Sequence, residues 1–214
     1  MRTIAVIARK GGSGKTTLAT HLALAAHLRG RQALLADADP QRSASEVLRL
    51  RQGLGPQVVE TAGPKLFALK VAALRDGVDL LVIDTPAGPE TEVCHAIVLA
   101  DLSIVVVRPT YLDLVMAVRT VDILNRLGRP GLIVINQAPF ARAGAEPPLV
   151  RRALDALRLL HTPIAPVILR ARTAYQEALS AGLSVEELNP PQAPAMDEVA
   201  RLWSAVEDRL AGRL

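Results

Sequence analysis

The chain has 214 residues, half of them hydrophobic, with 25 Lys or Arg against 21 Asp or Glu and a net charge of +4. That length fits one domain, or one with extensions, and a sizeable core. A single cysteine, Cys94, excludes a disulfide scaffold and a four-cysteine zinc site, and the four histidines show no metal-ligand spacing.

In chain order, apolar strand runs alternate with helical patterns. Thr3–Ala8 reads as a strand ending at a Gly-rich loop over 10–14, and Lys15–Leu28 as a helix stopped by Gly30. Ala33–Ala36 is a second strand, closed by Asp37-Ala38-Asp39-Pro40, and Ser43–Leu50 a short helix. Residues 51–65 carry weak signals, and Leu66–Val71 reads as a strand. Asp79–Ile83 and Ile104–Val107 are buried strands, Leu112–Leu127 is a helix closed by Gly128, and Leu132–Ile135 is a strand running into Asn136. Pro148–Leu160 is helical, Ile164–Leu169 a strand, Thr173–Leu179 a helix and Met196–Leu210 a last helix after a Pro-rich hinge. Strands apolar without alternation are buried on both faces. Alternating with helices, they predict an α/β fold: a doubly wound, mostly parallel sheet flanked by helices, in one domain over 1–214.

The strongest local pattern is Arg9-Lys10-Gly11-Gly12-Ser13-Gly14-Lys15-Thr16-Thr17, which follows a strand and opens a helix. That is the context a phosphate loop requires. Its glycines let backbone N–H groups point at phosphates, and the helix N-terminus adds a favourable dipole. Lys15 is placed to reach β- and γ-phosphates, and the Thr16 hydroxyl to meet Mg²⁺. The standard pattern would have glycine at position 9, where this chain has Arg9, and a second lysine, Lys10, precedes Gly11.

Lys-Gly-Gly-x-Gly-Lys-Thr-Thr resembles the deviant phosphate loop of the ParA/MinD family of P-loop ATPases. The resemblance implies ATP and Mg²⁺ as cofactors, with the nucleotide held by Gly11, Gly12, Ser13, Gly14, Lys15, Thr16 and Thr17. It also implies a homodimer in the ATP state, in which Lys10 crosses the interface to the other subunit's nucleotide. Two strands end in acids at the edge where such sheets bind ligands. Asp84, in Leu-Val-Ile-Asp-Thr-Pro-Ala-Gly, resembles the family's Walker B aspartate, a metal residue beside Thr16. Asp39 resembles the aspartate of switch I that orients the attacking water, while Asp37 supports the metal and the loop. Pro86 and Gly88 would belong to switch II. Asn136 stands where the family has an asparagine that reads the adenine edge.

Six arginines, Arg142, Arg151, Arg152, Arg158, Arg170 and Arg172, fall between residues 142 and 172, offset only by Glu146 and Asp155. Ile-Leu-Arg170-Ala-Arg172 and the residues after it resemble the Arg-containing C-terminal segment of ParA proteins, which implies nonspecific binding to double-stranded DNA. Phosphate contacts suit that role, and five aromatic residues in the whole chain argue against stacking on single strands. The resemblance further implies a ParB-like or other cargo-adaptor partner, and a cytoplasmic, nucleoid-associated protein that positions plasmid, chromosome or protein cargo. The chain reaches its first strand by residue 3, which leaves no expected signal peptide or N-terminal helix-turn-helix domain. No apolar run reaches the roughly 18 residues a membrane span needs. The last helix mixes Asp197, Glu198, Glu207 and Asp208 with Arg201, Arg209 and Arg213 on its polar face, a poor lipid anchor, so a MinD-like membrane role is the weaker alternative. A metabolic enzyme of the dethiobiotin synthetase kind would not require Lys10, and an iron protein of the nitrogenase kind needs two cluster cysteines per subunit.

Overall fold

The computed structural model describes residues 1–88 and 90–213. Six strands, β1 (Arg2–Ile7), β2 (Ala33–Asp37), β3 (Gln57–Glu60), β4 (Leu80–Asp84), β5 (Leu102–Val107) and β6 (Gly131–Ile135), form one sheet in the order β3-β2-β4-β1-β5-β6. Every pairing is parallel. The apolar strands are buried on both faces, as parallel sheets require.

Alternate side chains along each strand enter two separate cores. Ile4, Val6, Leu80, Val82, Ile104 and Val134 face one layer with residues of α1 (Lys15–Leu28), α2 (Ser43–Arg49), α7 (Thr173–Ser180) and α8 (Ala193–Leu210). Ala5, Ile7, Leu81, Ile83, Val105 and Ile133 face the other, with α3 (Leu66–Arg75), α4 (Glu90–Leu99), α5 (Tyr111–Arg126) and α6 (Pro148–Arg158). The apolar face of α8, including Val199, Leu202, Trp203 and Val206, is buried in the first core. Among the described residues no helix is long and apolar enough to cross a membrane.

Two expected strands are corrected. Leu66–Val71 belongs to a helix, α3, entered through a 3₁₀ turn at Gly63–Lys65. Leu66 and Ala73 are buried seven residues apart, a helical repeat that a short apolar run conceals. Ile164–Leu169 runs beside β6 and bonds to it at either end, through Ala165 and Leu169, but forms only an isolated bridge, Ile133 with Ile164, and no continuous ladder. Between those ends the segment carries Pro166, and the pairing with β6 is interrupted there. Conversely, β3 gave no apolar run because it is a short, exposed edge strand.

His21 ties α1 to the far end of the chain. Its Nδ1 donates to the Thr17 carbonyl at 2.8 Å, Nε2 accepts from the Val185 N–H at 3.3 Å, and Tyr175 meets the ring edge-on at 5.3 Å. Burial pushes the imidazole pKa down to about 4 from 6.5, against the pull of the Thr17 carbonyl and of Glu186 and Glu187. The unfolded chain therefore takes up a proton that the folded protein refuses between those values, and stability falls as pH drops through that window, by at most about 3 kcal/mol. Thermal midpoints measured from pH 7 to 4 should fall more steeply for the wild type than for His21→Gln; parallel profiles would contradict this.

Candidate functional site

The carboxyl ends of β1, β2, β4 and β6 deliver the loop 8–14, Asp37, Asp84 and Asn136 to one edge of the sheet. Asp37 and Asp84 are register partners on neighbouring strands, and Asp84 pairs with Val6 just before the loop. The loop turns through Gly12 and Gly14, both with positive φ, into α1, where the Gly14 carbonyl accepts from the Leu18 N–H at 3.0 Å. Gly14 is sterically required as well, since a Cβ there would lie 2.2 Å from Asn136 Nδ2.

Asn136 and Gln137 buttress this loop. Asn136 Nδ2 donates to the Ser13 carbonyl at 2.8 Å, and Gln137 Nε2 to the Gly12 carbonyl at 3.2 Å. Two of the loop's carbonyls are thus held from the β6 side, which fixes the turn. One donor of the Asn136 amide is used on the loop itself, and the residue lies in the wall of a pocket of about 370 Å³ together with Thr17, Arg170, Arg172 and Tyr175.

Lys15 is buried, and burial pushes its pKa down while Asp84 and Asp39 pull it up. Asp84 is fully buried, and among the described residues neither carboxylate oxygen makes a hydrogen bond of good geometry, the Thr16 hydroxyl lying close by. Burial lifts its pKa to about 7; Asp37 and Asp39 add to the rise, while the nearby Thr16 hydroxyl and Lys15 oppose it. Orphaned anionic oxygens beside a hydroxyl are the donor set a hard cation takes, so Thr16 and Asp84 fit Mg²⁺. Asp37 stands differently: Oδ2 accepts from the Ser45 N–H at 2.9 Å and hydroxyl at 2.8 Å, and Oδ1 from the Asp39 N–H at 3.3 Å. Its carboxylate fastens the loop to α2. Asp39 sits half-buried at the mouth, with Oδ1 accepting from the Gln41 N–H at 2.9 Å.

Lys10 lies at the loop's entrance, where Nζ contacts Asp113 Oδ2 at 2.9 Å. Asp113, only 3% exposed at the head of α5, also accepts from Arg108 at 2.9 and 3.2 Å and from the Thr110 hydroxyl at 2.5 Å. Burial works against its ionisation, but those hydrogen bonds prevail and hold the carboxyl below its ordinary range. Arg9 reaches Glu90, the first residue of α4, at 3.7 Å, and Arg126 holds the same carboxylate at 2.7 Å. Pro86 and Gly88 lie in the loop between Asp84 and α4.

The six arginines do not form one surface. Arg170 is bidentate on Glu146 at 2.9 and 2.5 Å and donates to the Pro139 carbonyl at 2.8 Å. Arg172 pairs with Glu198 and stacks over Phe140 at 5.1 Å. Arg158 pairs with Asp155 on the surface. Arg142, Arg151 and Arg152 are exposed with no side-chain partner among the described residues, and the first two line a groove of about 620 Å³ with Phe140 and Pro147. Sequence reasoning missed Asp113, whose signal was the Thr-x-x-Asp spacing of a helix cap, and Gln137. It also placed Glu198 on a solvated face, whereas the side chain is buried.

The sequence model of the family described as CobQ/CobB/MinD/ParA nucleotide binding domain matches residues 4–208. The chain is 28% identical over 218 residues to the maintenance of carboxysome distribution protein A of Halothiobacillus neapolitanus, covering 95% of each chain. To the protein of the same name from Gloeobacter kilaueensis it is 32% identical over 192 residues, covering 86% of this chain and 83% of the relative. Among solved structures, a complex of an aspartate-to-alanine variant of Cyanothece McdA with ATP superposes with a TM-score of 0.78 at 18% identity, covering 99% of this chain and 96% of that one.

The orphaned carboxylate of Asp84 leads to a measurable expectation. In titration calorimetry, Asp84→Asn should still bind ATP in EDTA but lose most of the gain in affinity that Mg²⁺ gives the wild type, about tenfold or more. An undiminished Mg²⁺ effect would place the metal elsewhere.

Proposed function

This chain belongs to the CobQ/CobB/MinD/ParA nucleotide-binding family, and from that premise we propose that it is a Mg²⁺-dependent ATPase that positions intracellular cargo by cycling on nonspecific DNA. The observation that carries the positioning role is the similarity, along nearly the whole chain, to proteins that maintain carboxysome distribution. A protein organelle is therefore the favoured cargo, with a plasmid or chromosome locus as the broader class expected from sequence.

The phosphate loop and the α1 N-terminus bind the triphosphate, and Lys15 neutralises charge at its β/γ end. Mg²⁺, held by Thr16 and Asp84, supplies further charge neutralisation on the phosphate oxygens when bound. Asp39, half-buried at the mouth, orients the water that attacks the γ-phosphorus; ADP and phosphate leave. Lys10 is the residue offered to a second copy of the chain. Its present partner, Asp113, keeps Arg108 and Thr110 when the lysine departs, so release leaves no bare buried charge. A cation supplied in trans makes transition-state stabilisation depend on dimer formation. A partner protein of the ParB kind, borne by the cargo, stimulates hydrolysis and frees the dimer.

For DNA, the unpaired Arg142, Arg151 and Arg152 on and before α6 are the best-placed phosphate contacts. Arg170 and Arg172 are committed internally and act as struts behind that groove. Arg158 can add to the surface, since its pairing is exposed and weak. Duplex binding measured across a salt series with ATP and Mg²⁺, with ADP, and without nucleotide tests this reading. Retention is expected only with ATP, on any sequence, and Arg151→Ala/Arg152→Ala should lower the slope of log affinity against log salt by about two. Absence of DNA binding in every state, or a slope unchanged in the double variant, would overturn the corresponding part.

A further inference from the structure

The pocket beside the phosphate loop has two walls. Thr17, Asn136 and Gln137 form one, continuous with the loop; Arg170, Ala171, Arg172, Thr173, Tyr175 and Gln176 form the other. The pocket adjoins the loop through Thr17, so a nucleotide with its phosphates in the loop would bring its nucleoside end here. The second wall lies outside the sheet's named strands. Its Arg170–Arg172 stretch is joined to the β6 side by the bond from Ala171 N–H to the Ala138 carbonyl at 3.0 Å. Arg170 is held further by Glu146 and the Pro139 carbonyl, and the tie from this wall to the C-terminal helix is made by one side chain.

That side chain is Glu198, on α8 and only 6% exposed. Its Oε2 accepts from the Arg170 backbone N–H at 3.1 Å and from the Tyr175 hydroxyl at 2.9 Å. Its Oε1 accepts from Arg172 Nε at 2.9 Å and from a terminal guanidinium nitrogen at 2.7 Å. Every donor belongs to a residue that lines the pocket, yet Glu198 does not line it. A carboxylate is the one side chain with lone pairs enough for four donors, and its charge answers the guanidinium. A fully satisfied buried network of this kind holds its members in one arrangement.

We propose that Glu198 is a positioning residue for nucleotide binding: it fixes, from the C-terminal helix, the 170–176 wall against which the nucleoside end of the triphosphate is held. The inference rests on the reading of the phosphate loop as a nucleotide site. Glutamine at this position keeps the shape but turns an NH₂ toward existing donors and removes the charge opposite Arg172, so the wall loses its fixed position. The loop itself, held by Asn136 and Gln137, is untouched.

Titration calorimetry of the whole protein with ATP and with tripolyphosphate, each with Mg²⁺, separates the two ends of the site. Glu198→Gln should weaken ATP binding about tenfold or more and leave tripolyphosphate within about twofold. Glu198→Asp, which keeps the charge but draws it back from the wall, should weaken ATP about threefold in the same selective way and decides the matter if Glu198→Gln does not fold. Equal losses for both ligands, or ATP affinity unchanged in the folded variants, would overturn the proposal. A wild type that binds neither ligand would instead remove the nucleotide reading itself.

Discussion

The structure depends on one electrostatic arrangement: a buried lysine and a buried aspartate facing each other across the end of a parallel sheet. Lys15 and Asp84 are both withdrawn from water, and burial works against the charge of each. Neither is stable there alone, and their attraction does not fully offset desolvation. In the proposed function a triphosphate and a divalent cation would supply the missing partners, one for each sign. The parallel sheet makes this possible, because every strand ends at the same edge and brings the loop, Asp37, Asp39 and Asp84 together without long connections.

Around that centre lies a ring of acids that hold basic groups in place. Asp113 gathers Lys10 and Arg108, Glu146 holds Arg170, and Glu198 holds Arg172. The strut formed by 170–172 has the nucleoside pocket on one side and the arginine-lined groove on the other, with Ala171 in both linings. The two cavities therefore share one short segment, which is where the proposed link between nucleotide state and DNA would run.

The centre of the site was legible because its chemistry is local. The loop 10–17 and the acids closing β2 and β4 sit within contiguous stretches whose composition has few other uses. The ring was not, because its pairings join residues distant in sequence. Nothing in the chain says that Arg170 meets Glu146, or that Lys10 meets Asp113 103 positions away. A cluster of six arginines looks uniform until geometry divides it into internal struts and free surface. Glu198 looked solvated because helical spacing identifies the main apolar face but not a carboxylate drawn inward by four donors. Fold-level errors followed the same logic: Leu66–Val71 is too short an apolar run to separate helix from strand, and Pro166 within Ile164–Leu169 interrupts a pairing that only the neighbouring strand reveals.

The central claim, that nucleotide binding is converted into assembly through Lys10, is tested most directly by molar mass in solution. Light scattering on the size-separated protein with ATP and Mg²⁺, with ADP, and without nucleotide should give a dimer only with ATP, and Lys10→Ala should bind ATP yet hydrolyse it slowly or stay monomeric. A wild type that is monomeric in every state, or a Lys10→Ala variant that dimerises and turns over normally, would contradict the account.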